Sequence, residues 1–196
     1  MAAFRLLLIC CLLGVSLVWA HPHVFVDAKI KVVFDSVGFS AVHNQWVYDE
    51  LYSTAMMSTL SEGSVGKISS EESSKLCNEI LEPLKASNYY NYILLETAFL
   101  KAERLSNCRV AFKNNRLVLN FDVHFSKPAT ADYTMLVVVV ADPTNYIQIT
   151  ADMENADVDG PESVDVDYFN DVLSGLTLFR AFRSDIEGLY LRYKKK

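Results

Sequence analysis

Val24-Phe-Val-Asp-Ala-Lys-Ile-Lys-Val-Val-Phe34 decides the architecture. Val24, Val26, Ala28, Ile30, Val32 and Phe34 share one face of an extended chain, and Phe25, Asp27, Lys29 and Lys31 take the other. This period-two alternation predicts a half-buried strand. Asp35-Ser-Val-Gly38 reads as a turn and Phe39 to Tyr48 as the returning strand, so the pair is a β-hairpin. A tight turn centred on Ser36 and Val37 sets Trp46 opposite Asp27 and Glu50 opposite His23. A one-residue slip would undo that register.

Beyond the hairpin the period changes. Asp49 to Leu60 has helical spacing, with Leu51, Ala55 and Thr59 on one side. Ser61 to Ser70 is polar and reads as a loop. Ser70 to Lys85 is a second helix: Ser69 or Ser70 caps it, Glu71 and Glu72 favour its N-terminal dipole, and Leu76, Ile80, Leu81 and Leu84 form its buried stripe. Pro83 should kink or end it. Period two then returns in Tyr92–Leu100, Cys108–Phe112, Leu117–His124, Thr134–Ala141 and Tyr146–Ala151, with Asn114-Asn115 as a hairpin turn. Asp152 to Asp171 reads as an acidic, solvated loop, Phe169 to Phe182 as a terminal helix, and Lys194–Lys196 as a solvated tail. The sum is an α+β fold, mainly an antiparallel β-sandwich with a helical pair inserted at about residues 49–86.

The first twenty residues differ from the rest. Arg5 precedes an apolar run from Leu6 to Val18, and Val18-Trp19-Ala20 presents small side chains at the −3 and −1 positions. That is the grammar of a secretory signal peptide over 1–20, leaving 21–196 as one exported domain. The run is too short for a bilayer, which needs roughly 20 apolar residues, so contact with a membrane is peripheral at most. The 18 Lys plus Arg and 24 Asp plus Glu give a net charge of −6. Without a basic stripe, phosphate neutralisation is not available, which excludes nucleic-acid binding. Cys77 and Cys108 remain after cleavage. In an oxidising compartment an isolated pair favours a disulfide over a metal or catalytic site, the other reading being two separate buried thiols.

Cleavage would place His21-Pro-His23 at the new N-terminus. His21 then offers an α-amine and an imidazole on one residue, and His23 adds a third nitrogen on the same side of an extended chain. Three nitrogens suit nickel, cobalt, zinc or copper and not calcium or magnesium. Pro22 has no amide proton, so a site built from deprotonated backbone amides is excluded. In the register above, Asp49 and Glu50 return beside His23, where a carboxylate can complete or orient the ligand set. The plainer reading is a helix-capping Asp and a solvated Glu. Ser61 to Glu72 traces an EF-hand outline, with Gly66, Ile68 and Glu72 at the sixth, eighth and twelfth places. Ser61, Gly63 and Val65 hold the first ligand places, too few hard oxygens for calcium. No GxSxG, HExxH or CxxC is present, and no local motif announces an enzyme.

His21-Pro-His-Val-Phe-Val-Asp27 after a leader, followed by Trp46-Val-Tyr-Asp-Glu50, Tyr89-Tyr90 and Asp142-Pro-Thr-Asn-Tyr146, resembles the secreted bacterial domain-of-unknown-function family one-thousand-and-seven. The matches run in order over roughly residues 21–151. The resemblance implies a Gram-negative periplasmic protein, often labelled a component of an ABC-type transport system and associated with nickel/cobalt permeases. It carries over His21, His23, Asp49 and Glu50. The expected function is a periplasmic binding or accessory protein for a divalent transition metal, serving an inner-membrane metal transporter. Two alternatives stand beside it: a metal-free interaction domain of a transport system, and a copper oxidoreductase using the N-terminal histidine.

Overall fold

The alternation of the first strand is realised residue for residue. In the computed structural model, which describes residues 24–60, 67–173 and 186–196, β1 spans Val24–Phe34 with its even positions buried. The Asp35 carboxylate accepts from the amides of Val37 and Gly38 at 2.8 and 3.0 Å and shapes the turn. Gly38 has φ +156°, and a Cβ there would collide with the carbonyl oxygen of Lys127, so only glycine fits.

β2 is Gly38–Tyr48, but the expected register is off by one. Phe34 faces Phe39 while Val33 faces Ala41, so Ser40 is an extra residue, and Trp46 lies opposite Ala28 instead of Asp27. The cause is burial. Trp46 is 0% exposed and Ala28 2%, and the expected register would have paired Trp46 with Asp27, on the exposed face of β1. The bulge is satisfied locally, since the Ser40 hydroxyl donates to the Val33 carbonyl at 3.1 Å. The Glu50–His23 pairing falls with that register, and His23 itself lies outside the described residues.

α1 covers Glu50–Ser58. Its inward side is not Leu51, which is exposed, but Tyr52, Ser53, Met56 and Met57. The buried Ser53 hydroxyl accepts from Leu117 N at 2.8 Å and donates to the Asp49 carbonyl at 2.6 Å. α2, Ser70–Leu81, begins with a capping box: Ser69 Oγ accepts from Glu72 N, and the Glu72 carboxylate accepts from Ser69 N. It ends earlier than expected, because Pro83 opens a 3₁₀ stretch over Glu82–Tyr90, into which the buried Leu84 continues the stripe.

The remaining strands are β3 Asn91–Leu95, β4 Ala98–Leu100, β5 Arg104–Lys113, β6 Arg116–Pro128, β7 Thr134–Val140, β8 Ile147–Ala151, β9 Asp157–Asp159, β10 Val164–Leu173 and β11 Ile186–Lys195. The run Tyr92–Leu100 is thus a small hairpin, folded at Glu96 with φ +56°. Asn114 and Asn115, at φ +50° and +61°, make the expected turn. One sheet has the order β5-β6-β2-β1-β8, with β9 also beside β1, and the other the order β10-β11-β7-β3-β4. β8 and β9 run parallel to β1, while the other pairs are antiparallel. The inner faces form one core in which Val26, Val32, Trp46 and Phe121 share a cluster with Ile93, Leu136, Val138 and Leu191.

The C-terminal expectations need correction. Phe169–Leu173 is strand, not the start of a helix, and 174–185 lie outside the described residues. Lys194 and Lys195 belong to β11, opposite Asp165 and Val164. Part of the acidic run is ordered by strand pairing that places it beside cations: Lys31 Nζ is 2.9 Å from Asp159, and Arg192 is 2.6 Å from Asp167.

Cys77 of α2 and Cys108 of β5 form a disulfide, with Cα atoms 6.1 Å apart. Beside it Ser73 Oγ accepts from Val110 N at 2.8 Å, so α2 covers the edge of β5. Reduction, or Cys77→Ser with Cys108→Ser, is expected to lower unfolding stability by about 3–4 kcal/mol, as chain entropy predicts for a closed loop of this size. Urea denaturation of oxidised and reduced protein reads the difference directly.

Candidate functional site

β2 ends at Tyr48 because Asp49 turns the chain. Asp49 N donates to the Phe25 carbonyl, and its Oδ2 accepts from Phe25 N, both at 2.9 Å. Its Oδ1 accepts from Tyr52 N at 2.8 Å as the N-cap of α1. One carboxylate therefore ties the start of β1 to the start of the helix. Glu50 is exposed in the first turn, next to that knot. Arg116 closes the other side: its guanidinium donates to the carbonyls of Tyr48 and Val47 at 2.6 and 3.1 Å and to Asp27 at 2.8 Å.

A second carboxylate works in the same way. Asp142 is 0% exposed and accepts from Thr144 N, Thr144 Oγ1, Tyr146 N and Ile147 N at 2.7–3.1 Å. The Asp-Pro-Thr-Asn-Tyr segment is thus a turn that aims β8 at β1, pairing Ile147 with Val24. Asn88, Tyr89 and Tyr90 are all left-handed, at φ +51°, +55° and +57°. Such a run is costly for residues with a Cβ. It is held by the Asn88 side chain, which bonds Leu100 O and Ala102 N, and by Asn91, which donates to Tyr89 O.

These turns gather tyrosines at one end of the sandwich. Tyr48 is fully buried, its hydroxyl has no hydrogen bond, and its ring stacks on Tyr52 with centroids 4.8 Å apart. Burial holds the Tyr48 phenol well above its ordinary range, with the Tyr52 and Tyr90 phenols adding to it. Burial also raises Tyr52, beside Tyr146, Asp49 and Glu79. Tyr90 is pushed up to about 12 by burial and by the charge and hydrogen bond of Asp142. At neutral pH Tyr48, Tyr52 and Tyr90 therefore present protonated phenols, and the negative charge at this end comes from carboxylates.

Among the sequence-predicted site residues, Asp49 and Glu50 sit side by side at the mouth of β1, and Asp49 spends both oxygens on backbone amides. His21 and His23 lie outside the described residues, immediately before Val24. Among the described residues, no group of three or more His, Cys, Asp and Glu side chains is placed to hold a metal. Of the calcium-like loop, 61–66 lie outside the described residues, and Glu72 is engaged in its capping box. Sequence reasoning missed Tyr52 and Glu79, and took Asp142 only as part of the Asp-Pro-Thr-Asn-Tyr segment, with no role at this site. Only Asp142 had a local signal, an Asp-Pro-Thr turn. The other two histidines have their own partners on the outer face of the first sheet. His124 Nε2 lies 2.6 Å from Ser106 Oγ, and His43 lies 3.9 Å from Asp122.

The fold and this end together define a two-sheet α+β sandwich in which three separated sequence motifs meet at the start of β1. Residues 6–166 match the family described as "Protein of unknown function (DUF1007)", and the chain belongs to that family. A curated relative from Haemophilus influenzae (strain ATCC 51907 / DSM 11121 / KW20 / Rd), described as an uncharacterized protein, is 22% identical over 135 residues. The match covers 68% of this chain and 64% of the relative's length.

Two outcomes follow from the geometry. Asp49→Ala removes a helix cap and the Phe25 tie and should cost about 1–3 kcal/mol in chemical denaturation, while Asp49→Asn, which keeps an acceptor oxygen, should cost less. His124 is held below its ordinary pKa of 6.5, first by burial and then by Arg104. The native state therefore resists protonation that the unfolded chain accepts, so stability is full above pH 6.5 and declines below it. Denaturation midpoints taken across that range should flatten in His124→Gln.

Proposed function

We propose that the protein is an exported, periplasmic binding or accessory protein for a divalent transition metal, working with an inner-membrane metal transporter. The processed N-terminus is the binding element: the His21 amine and imidazole and the His23 imidazole supply three nitrogens, and Glu50 adds a carboxylate. Asp49 acts behind them by fixing the chain at Phe25, two residues after His23. The observation that carries the reading is the position of Val24. The chain enters the sandwich there, at a point held by Asp49 and Ile147 and beside the exposed, acidic Glu50. The disulfide fits an oxidising compartment. No helix among the described residues is long and apolar enough to cross a membrane. A terminal ligand set exchanges its ion more readily than a closed tetrahedral site, as delivery to a transporter requires.

A metal-free interaction domain is the second reading. The exposure of Phe25, Leu51 and Tyr146 at this same end favours it, since large apolar side chains there suit a protein partner. The two are separated by calorimetry with nickel, cobalt, zinc and copper on protein beginning at His21. The metal reading expects binding that weakens at least ~10-fold when one residue is added ahead of His21 or when His23→Ala is introduced, each lost ligand being worth about 1.4 kcal/mol or more. Affinity indifferent to both changes would leave the interaction domain.

A further inference from the structure

The Cys77–Cys108 bridge is unevenly covered. Cys77 is 6% exposed and belongs to the core cluster with Leu76 and Ile80, whereas Cys108 is only partly buried against that core. Cys108 also lines an open groove of about 660 Å³ between the start of α2 and β5, and Cys77 does not. A thiolate that opens a disulfide has to reach one of its two sulfurs, and access decides which. Here the open path leads to Cys108.

The walls of the groove favour one kind of reagent. Among the described residues that line it, Lys67 and Arg109 are the only charged ones, and both are exposed cations. No carboxylate joins them, on a chain whose net charge is −6. Glu72, nearby in α2, is turned back onto Ser69 N in its capping box. Two cations in a concave site draw anions in from solution and favour the thiolate over the thiol. Small ligands occupy sites of about 300–1,000 Å³, so a groove of this size takes a thiol as large as a tripeptide.

We propose that Cys108 is a site of reversible S-thiolation by a small thiol that carries carboxylates. The reagent's thiolate attacks Cys108 Sγ and forms a new S–S bond there. The Cys77–Cys108 bond breaks, its electron pair leaves on Cys77 Sγ, and that sulfur takes a proton. One disulfide and one thiol enter and one disulfide and one thiol result, so no further oxidant or reductant is needed. The Cys77 thiol stays in the core, where an uncharged cysteine behaves as a small apolar side chain. Its return attack on Cys108 expels the small thiol and restores the bridge. While Cys108 is thiolated, α2 loses its covalent tie to β5 and keeps the Ser73–Val110 bond, so the exchange sets how firmly that helix is held.

Reduced glutathione, a tripeptide thiol with carboxylates, is the probe, applied to the folded, oxidised, processed chain. After an acid quench, peptide mass mapping should find glutathione on Cys108 and a free thiol at Cys77. Two single variants, each left with one thiol, extend the test. Cys77→Ser should take up glutathione from oxidised glutathione at least ~10-fold faster than Cys108→Ser, with the difference lost in urea. Lys67→Glu and Arg109→Glu, added to Cys77→Ser, should each slow that reaction about 3-fold or more. Neither should change the rate with uncharged hydroxyethyl disulfide, which separates charge from misfolding. A bridge that resists glutathione until the chain unfolds, an adduct on Cys77, or rates indifferent to both charge variants would each overturn the proposal.

Discussion

Trp46 must be buried on the same face as Ala28, and that requirement forces one extra residue, Ser40, into the first hairpin. Much else follows from this bulge. It shifts the second strand by one place, so that the chain leaves the sheet with Asp49 opposite Phe25. From there one carboxylate can both cap the helix and hold the first strand. Without the extra residue Asp49 would be displaced by one position, and its side chain could not bond Phe25 N and Tyr52 N together.

The strand bearing the alternation was legible because burial leaves a period-two trace, and α2 because its cap, its acidic first turn and its apolar stripe agree. The bulge was not. Ser40 is no more bulge-like than its neighbours, and the decision rests on which face Trp46 can occupy once a second sheet covers it. The β3–β4 fold was hidden for a related reason: it turns at Glu96, a residue without the glycine or asparagine signal that usually marks a left-handed position. β10 was misread because its exposed residues follow no burial period, so acidity and aromaticity suggested loop and helix where cross-strand pairs with Arg192 and Tyr190 determine a strand.

The convergence of motifs at one end was legible only as a list of segments. What joins them is long-range: the parallel pairing of β8 with β1, which brings Tyr146 beside the entry of the chain, and the burial of Asp142, whose bonds from Tyr146 N and Ile147 N make that pairing possible. A carboxylate excluded from water persists when its oxygens are satisfied, and here backbone amides of the turn do so. The same logic explains Asp49. Both acids look from sequence like candidates for chemistry, and both are committed first to backbone geometry, with the adjacent Glu50 left exposed.

The way the sheets end constrains where another protein can attach. β5 is closed by α2, through the Ser73 bond and the disulfide. β4 is only three residues long, too short to template another strand. β10 is ten residues long and its outer edge is open. The outer face of the second sheet carries the exposed Met135, Phe169 and Tyr133 beside Arg192, Lys194, Asp165, Asp167 and Asp171. On the first sheet's outer face Phe25, Lys29, His43 and Gln45 are exposed and Lys31 pairs with Asp157 and Asp159. The chain entry at β1 and the apolar face of β7, β10 and β11 belong to different sheets.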